Sequence, residues 1–123
     1  SEANISGYPV YDREILKSDA MGSLGEVSLI GDAAHPMSPF KGQGANQALL
    51  DALALARGIS RGCQPSSEWR KVGIRKSVLT EFEAEMIHRT IPKVKDSAAA
   101  AKFLHSKQIL QVHNKPRGRL FKI

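Results

Sequence analysis

Residues 31–52 read GDAAHPMSPFKGQGANQALLDA and fall into two parts with different conformational preferences. The first fourteen residues contain five glycines and prolines, which exclude a regular helix or a central strand. Residues 45–59, rich in alanine and leucine, predict a helix whose surface is largely apolar and therefore buried. A loop that runs directly into a helix N-terminus presents free backbone N–H groups, which suit an anion or an electron-rich carbonyl.

Two segments before this loop favour extended backbone. Residues 8–16 alternate in part between apolar and polar side chains, with Pro9 at a position suited to the start of a strand. Residues 26–30 predict a second short strand, so that Asp32 follows a strand end, where open α/β sheets place ligand contacts. The residues alone leave two interpretations open, a ligand site with one acceptor and several amide donors, or a surface loop that caps a buried helix.

The second half of the chain predicts helices. The serines at 66–67 are suited to cap a second helix, and apolar residues at three- and four-residue spacing make 78–86 amphipathic. Pro92 is expected to kink or end that helix. Asp96–Ser97 then caps a third helix over 98–110.

The amino-acid composition is typical of a globular protein. The 123 residues have ordinary globular usage, with 41% hydrophobic and 24% charged residues. The net charge of +6 is uneven, because residues 1–60 hold 4 basic against 7 acidic residues and the rest is basic. Most of these charges fit solvated helical faces, and only 115–123 resembles a basic tail. The single cysteine, Cys63, excludes an internal disulfide, fits a reducing compartment and is expected to be inert.

The order of residues in the loop closely resembles the second flavin-binding motif of the class A FAD-dependent monooxygenases, the aromatic-ring hydroxylase type. That family's pattern is Gly-Asp-Ala-Ala-His, then Pro, then Gly-x-Gly-x-Asn, then an Asp in the following helix. Matching residues stand at 31–35, Pro39, Gly42, Gly44, Asn46 and Asp51. The resemblance covers residues 8–62 and extends more loosely to about residue 105.

The resemblance implies a role for each loop residue. Asp32 is expected to accept a hydrogen bond from a ribityl hydroxyl of FAD. Backbone amides from Gly42 to Asn46 are expected to face the flavin pyrimidine edge, where the helix dipole stabilises the negative charge of reduced flavin. Pro39 and Phe40 are expected either beside the isoalloxazine on the substrate side or only in loop packing. The expected cofactor-binding residues are Gly31, Asp32, Pro39, Phe40, Gly42, Gln43, Gly44, Ala45 and Asn46.

Three other residues of this part of the sequence are interpreted separately. His35 is interpreted as a structural imidazole that holds the loop, and Asp51 as a residue of helix packing or capping. Arg13 is expected either near flavin or substrate, or in a structural pair with Asp12 or Glu14. No residue is expected as a catalytic acid or base, and the loop lacks the number of ligands that a metal site needs.

Two motifs of the family are missing from this sequence, the early Gly-x-Gly-x-x-Gly that cradles the FAD pyrophosphate and a middle Asp-Gly motif linked to FAD and NAD(P)H. The expected explanation is that the chain is the C-terminal portion of such a monooxygenase, whose N-terminal portion supplies the dinucleotide-binding motif. One alternative is a split protein in which a partner chain supplies it. The other is a non-enzymatic remnant or basic interaction module without flavin.

The reaction implied by the resemblance uses FAD, NAD(P)H and O2. A flavin C4a-hydroperoxide hydroxylates or epoxidises an organic substrate, aromatic or polyene, and this chain alone is expected to be inactive. No nucleic-acid partner and no membrane span are expected, and the location is expected to be cytoplasmic.

The expected fold is α/β, the C-terminal part of a Rossmann-like FAD-binding domain. It consists of a strand pair, the flavin loop and a buried helix, followed by two or three α-helices. The expected divisions are 1–62 for the FAD-binding part, 63–114 for a helical segment and 115–123 for a basic tail.

Overall fold

The computed structural model describes residues 10–110, and most of them are helical. Helix α1 spans Ser18–Gly22, α2 spans Gly44–Gly62, α3 spans Trp69–Val72 and α4 spans Thr80–Leu104. Short 3-10 turns lie at Gly31–Ala33, Pro39–Lys41 and Lys107–Leu110, and a π-helical turn at Arg75–Leu79 leads directly into α4. None of the helices in this part of the chain combines the length and the apolar composition that a bilayer crossing requires.

The predicted α/β, Rossmann-like fold with a strand pair is wrong for the described residues. Between residues 10 and 110 there is no β-strand, and segments 10–17 and 27–30 have no regular secondary structure. Ile30 does have extended angles, φ −135° and ψ 163°, so the local preference is realised there. A strand also needs a neighbour that takes up its N–H and C=O groups, and neither segment has one within this range. The prediction of a strand at 26–30 therefore agrees with the extended backbone of Ile30 but is wrong about a sheet.

Two predictions lie outside the described residues. Tyr8 and Pro9 begin the first predicted strand, and residues 115–123 form the predicted basic tail.

Helix α2 is less buried than its composition predicts. Its buried residues are the polar Gln47 and Asp51, whereas Leu49 is 70% exposed and Leu53 is also exposed. The face that carries Gln47 and Asp51 packs against the turn at 31–33 and against α4. Among the described residues, Leu49, Leu50 and Leu53 remain exposed, and Leu55 is the leucine of α2 that packs against the core. The prediction of a well-buried apolar helix is therefore wrong for this part of the chain.

The serines at 66–67 do not cap a second helix as predicted. Ser67 Oγ instead donates to the backbone oxygens of Gly62, at 2.8 Å, and Gln64, at 2.7 Å. The short helix α3 begins after Glu68 without a side-chain cap. Ser67 therefore satisfies a carbonyl at the C-terminal end of α2, where the last turn has no helical partner.

Helix α4 continues through Pro92, so that of the two predicted effects of this proline, a kink or an end, the end is wrong. A proline inside a helix removes one backbone hydrogen bond and costs about 3 kcal/mol. Buried side chains on both sides of it, Thr90 and Val94, keep α4 against the rest of the molecule. Ser97, which was predicted to cap a third helix, lies inside α4 and donates its hydroxyl proton to the Ser38 carbonyl. Tertiary contacts thus outweigh the local penalty.

The hydrophobic core joins α4 to the loop. Its buried cluster consists of Met21 from α1, Ala34 from the loop, and Phe82 and Met86 from α4. The partly buried residues that pack against this cluster are Leu16, Leu29, Ala54, Leu55 and Ile87. Because Ala34 belongs to the cluster, the core positions the 31–46 loop directly.

Gly62 marks the closest approach of α2 to the π-helical turn. A Cβ built there would lie 2.7 Å from both the Ser77 carbonyl oxygen and Val78 Cγ2. We expect Gly62→Ala to lower the free energy of unfolding by about 1–3 kcal/mol, because the carbonyl cannot yield as a flexible side chain would. Gly22→Ala is the matched control, since a Cβ there meets nothing within 4 Å. Urea unfolding of both variants measures the difference, and equal stabilities would contradict the close approach.

Candidate functional site

The loop of residues 31–46 contains two glycines with left-handed backbone. Gly31 has φ +57° and Gly42 has φ +61°, a region that residues with a Cβ rarely adopt. The Gly42 amide donates to the Pro39 carbonyl at 2.9 Å and closes the second 3-10 turn. At Gly31, a Cβ would also approach Ala48 Cβ to 3.2 Å. The path of the loop into α2 therefore depends on both glycines.

The carboxylate of Asp32 lies beside the start of α2. Asp32 is exposed, and its Oδ1 is 3.7 Å from the position that a Cβ would take at Gly44. Helix α2 begins there without a side-chain cap, so the amides of its first turn remain available as donors. Within residues 10–110, the Asp32 carboxylate itself accepts no hydrogen bond and forms no ion pair. One exposed acceptor and several backbone donors thus face solvent side by side.

Pro39 and Phe40 form the second turn of the loop, and both are exposed. The Phe40 ring meets the His105 ring edge to face, with centroids 5.3 Å apart and an interplanar angle of 78°. This contact connects the tip of the loop to the C-terminal end of α4.

The remaining predicted cofactor-binding residues differ in exposure. Ala45 and Asn46 are exposed on the first turn of α2, and Gln43 is half-buried just before it. Gly31 is buried, and its amide donates to Asp51 Oδ2 at 2.8 Å. Gly31 therefore supports the loop from inside, whereas the other three lie nearer to the surface.

A buried polar network holds the loop from below, and Asp51 is its centre. The Asp51 side chain is fully buried, and its Oδ2 accepts hydrogen bonds from the Gly31 amide at 2.8 Å and from His35 Nε2 at 2.6 Å. Its Oδ1 accepts a hydrogen bond from Arg89 Nη2 at 2.8 Å. One carboxylate thus joins the loop, α2 and α4.

His35 is fully buried and contributes one nitrogen to this network. Because an ionised carboxylate only accepts hydrogen bonds, His35 Nε2 is the donor toward Asp51. Its Nδ1 is buried without a partner in the described part of the chain. This placement agrees with the interpretation of His35 as a structural imidazole that holds the loop.

Arg89 is the member of the network that the sequence did not single out. Its Nη1 donates to Gln47 Oε1 at 2.7 Å, and its Nε donates to Glu85 Oε1 at 2.8 Å. The hydrogen bond to the Glu85 carboxylate raises the pKa of Arg89 most; burial opposes this effect, and the hydrogen bond to Asp51 adds to it. In the sequence, Arg89 is one of many basic residues on an amphipathic helix. Only its position opposite Asp51, 38 residues away, distinguishes it.

Arg13 lies beside the loop and bonds to its backbone. Its Nη2 donates to the Ala33 carbonyl, next to Asp32. The structure pairs it with neither acidic neighbour through side chains in the described range, whereas the adjacent Asp12 accepts a hydrogen bond from Ser38 Oγ at 3.0 Å. Segment 10–17 is thus attached to the loop at two points.

An open cleft of about 1130 Å³ lies between segment 10–17, the loop and α4. Phe40 and Ser38 line it from the loop. The lining residues of α4 include Ile87, Ile91, Val94, Lys95, Ala98, Ala101 and Lys102. The lining of the cleft therefore combines an apolar helix face with the charged side chains of Lys95 and Lys102.

Metal-ligating residues do not cluster in residues 10–110, where no group of three or more His, Cys, Asp or Glu side chains is arranged to hold an ion. Cys63 is a free, half-buried thiol just after α2.

Similarity to known proteins centres on the loop and α2. Residues 20–68 match the family described as FAD binding domain. An FAD-dependent monooxygenase of Penicillium herquei is 41% identical over 81 residues, which are 66% of this chain and 18% of that protein. The 3-amino-4-hydroxybenzoate 2-monooxygenase of Streptomyces cremeus is 34% identical over 90 residues, 73% of this chain and 20% of that protein. The 3-hydroxybenzoate 6-hydroxylase 1 of Aquipseudomonas alcaligenes is 47% identical over 47 residues, 38% of this chain and 12% of that protein.

The chain covers a fifth or less of the length of each of these curated relatives. No solved structure matches it.

Proposed function

Because this chain belongs to the class A FAD-dependent monooxygenase family, we propose that its loop of residues 31–46 contacts FAD in the intact enzyme. The observation that carries the proposal is the exposed Asp32 carboxylate beside the uncapped start of α2. A ribityl chain offers hydroxyl donors, and the flavin pyrimidine edge offers acceptors. The loop presents the complementary groups, one acceptor and several donors.

The glycines of the loop support the same proposal, because they leave the backbone without side chains at two positions. Gly44 has no side chain next to Asp32, and a Cβ at Gly42 would meet nothing within 4 Å. A ligand can therefore approach the backbone amides from Gly42 to Asn46 without a steric barrier from these positions. The N-terminus of α2 carries a partial positive charge that stabilises the electron-rich N1 and C2=O edge of the flavin. Gln43 and Ala45 contribute amides to the same stretch, and the buried Gly31 supports it.

Pro39 and Phe40 stand between the proposed flavin site and the cleft. We assign to them the substrate side of the isoalloxazine, since Phe40 lines the cleft and is exposed. Arg13 contributes through its bond to the Ala33 carbonyl, which orders the loop beside Asp32. In this proposal the loop residues bind and orient, and no residue acts as acid or base.

Bound FAD supplies the redox chemistry, in which electrons come from NAD(P)H and O2 provides one oxygen atom to an organic substrate and one to water. The proposed reaction is hydroxylation or epoxidation of an aromatic or polyene compound. The names of two relatives, which specify a 3-amino-4-hydroxybenzoate and a 3-hydroxybenzoate, support the aromatic class. The chain's own residues bind and orient the cofactor.

The FAD pyrophosphate needs a glycine-rich turn that this sequence lacks. We propose that another portion of the same protein, or a partner chain, supplies it. A cytoplasmic location is part of the same proposal, because NAD(P)H is available there and the only cysteine of this chain is a free thiol.

Replacing Asp32 by alanine tests the proposal in the intact protein that carries this chain. We expect Asp32→Ala to weaken FAD binding by about 1–3 kcal/mol, since a hydrogen bond to a charged group is lost. Quenching of flavin fluorescence during titration, together with the visible spectrum, measures the dissociation constant. Asp19→Ala is the matched control, because Asp19 is an exposed carboxylate on α1 and not part of the 31–46 loop. Unchanged FAD affinity in Asp32→Ala, or the absence of FAD binding by the unmodified protein, would overturn the proposal.

A further inference from the structure

We propose that Arg89 on α4 is a positioning residue for the flavin-binding loop, acting through Asp51 on the backbone of Gly31. This inference rests on the proposed function and deepens it, because it names a determinant of FAD affinity outside the 31–46 loop.

The two oxygens of Asp51 face different parts of the molecule. Oδ1 accepts the hydrogen bond from Arg89 at 2.8 Å, and Oδ2 accepts those from the Gly31 amide at 2.8 Å and His35 at 2.6 Å. A carboxylate is rigid and planar, so a rotation that follows from the loss of one partner also displaces the other oxygen. Arg89 thereby fixes the orientation in which Oδ2 accepts the hydrogen bond from the Gly31 amide.

The burial of Asp51 makes this control strong. The carboxylate is fully buried, and Arg89 is the permanently charged cation bonded to it. A buried charge without its counter-ion is unfavourable, and its surroundings rearrange or admit water to compensate. Arg89 itself is held in place by Glu85 and Gln47, so the guanidinium has a defined orientation.

The effect reaches the proposed cofactor site along the backbone. Gly31 directly precedes Asp32, and its backbone runs close to α2, since a Cβ built at Gly31 would lie 3.2 Å from Ala48 Cβ. A shift of the Gly31 amide therefore moves the Asp32 carboxylate relative to Gly44 and the start of α2. A hydrogen bond weakens steeply as its geometry deteriorates, so a small shift lowers affinity for FAD.

The experiment compares Arg89→Met, Arg89→Lys and Arg75→Met in the intact protein that carries this chain. Arg75 is the matched control because it forms a similar half-buried ion pair with Glu83, at 2.5 Å, and bonds to the carbonyls of Gly25 and Val27 rather than to the loop. For each variant, FAD titration gives the dissociation constant, the visible circular dichroism reports the flavin environment, and the melting temperature of the apoprotein reports stability.

We expect Arg89→Met to weaken FAD binding about ten-fold, which corresponds to about 1.4 kcal/mol, and to change the visible circular dichroism of bound flavin. Arg89→Lys keeps the positive charge but loses the forked geometry of the guanidinium. The loss of FAD affinity in this variant is therefore expected to be smaller, about three-fold. Arg75→Met is expected to lower the melting temperature while FAD affinity stays within about two-fold of the unmodified protein. This pattern would separate positioning of the loop from general stability.

Three results would overturn the inference. FAD affinity unchanged in Arg89→Met would do so while leaving the proposed function intact. An equal loss of affinity in Arg75→Met would show that stability alone explains the effect. Failure of the unmodified protein to bind FAD would overturn both this inference and the proposed function. If Arg89→Met does not fold, Arg89→Lys decides, since an unchanged dissociation constant in that variant contradicts positioning by the fork and a weakened one supports it.

Discussion

Replacing Asp51 by asparagine is expected to lower the free energy of unfolding by about 3–5 kcal/mol, the cost of removing one partner from a buried ion pair. The carboxylate accepts hydrogen bonds from three donors, on Gly31, His35 and Arg89. Asparagine has one acceptor oxygen and places its own N–H groups toward the other donors. At least one buried donor then loses its partner, and the guanidinium keeps only Glu85 of its two carboxylate partners.

Urea unfolding of the 123-residue chain measures this loss, and Asp96→Asn is the matched control. Asp96 is an exposed carboxylate on α4 without a partner in the described residues, so its replacement is expected to change stability by less than about 0.5 kcal/mol. If both asparagine variants unfold at the same urea concentration, the buried network contributes nothing and the account of the loop's support is wrong.

Truncation of Phe82 to alanine is expected to be about equally severe, with a loss of about 3–5 kcal/mol. Phe82 is 5% exposed and belongs to the cluster that holds Met21, Ala34 and Met86. Removing the ring reduces the apolar surface that is buried on folding, and it leaves a cavity between α4 and its neighbours. Because Ala34 is in that cluster, the loop loses apolar support at the same time.

Tyr11→Ala serves as the aromatic control, since the Tyr11 side chain is 75% exposed. Its stability in urea is expected to stay within about 0.5 kcal/mol of the unmodified chain. A loss in Phe82→Ala no greater than that in Tyr11→Ala would contradict the position of Phe82 in the core.

Asp51→Asn and Phe82→Ala both remove contacts that hold the 31–46 loop in place. Asp51 holds the loop through polar contacts to its backbone, and the Phe82 cluster holds it through Ala34. The exposed Asp32 carboxylate lies between these attachments, on residue 32 of a loop fixed at 31, 34 and 35. A site binds its ligand with higher affinity when the backbone that carries its side chains is already ordered, because less conformational entropy is lost on binding. This arrangement explains why the proposed site needs buried residues that never touch the cofactor.

Local chemistry explains what sequence reasoning predicted well. The helix expected at 45–59 is α2, Gly44–Gly62, because alanine and leucine favour helical backbone regardless of their neighbours. The breakers between Gly31 and Gly44 keep that stretch out of long helices, as expected. The family was recognised from the order of residues in this loop, and the similarity to FAD-dependent monooxygenases confirms it.

The predictions that failed each required a partner distant in sequence. A strand at 26–30 needed a neighbouring strand, which the described residues do not provide, and a buried α2 needed a surface to cover its leucines. An end of the helix at Pro92, one of the two predicted effects of this proline, was expected from local geometry alone, whereas packing of Thr90 and Val94 keeps α4 continuous.

By itself, the sequence determined the family, the position of the loop and the start of the helix behind it, because these depend on residues adjacent in the chain. Only the tertiary structure decided which residues hold the loop in place. Asp51 and Arg89 are 38 residues apart, and Gly31 is a further 20 residues from Asp51. No local preference links such positions; the packing of α4 against α2 brings a guanidinium to a buried carboxylate, whose unpaired charge would otherwise be too costly to bury.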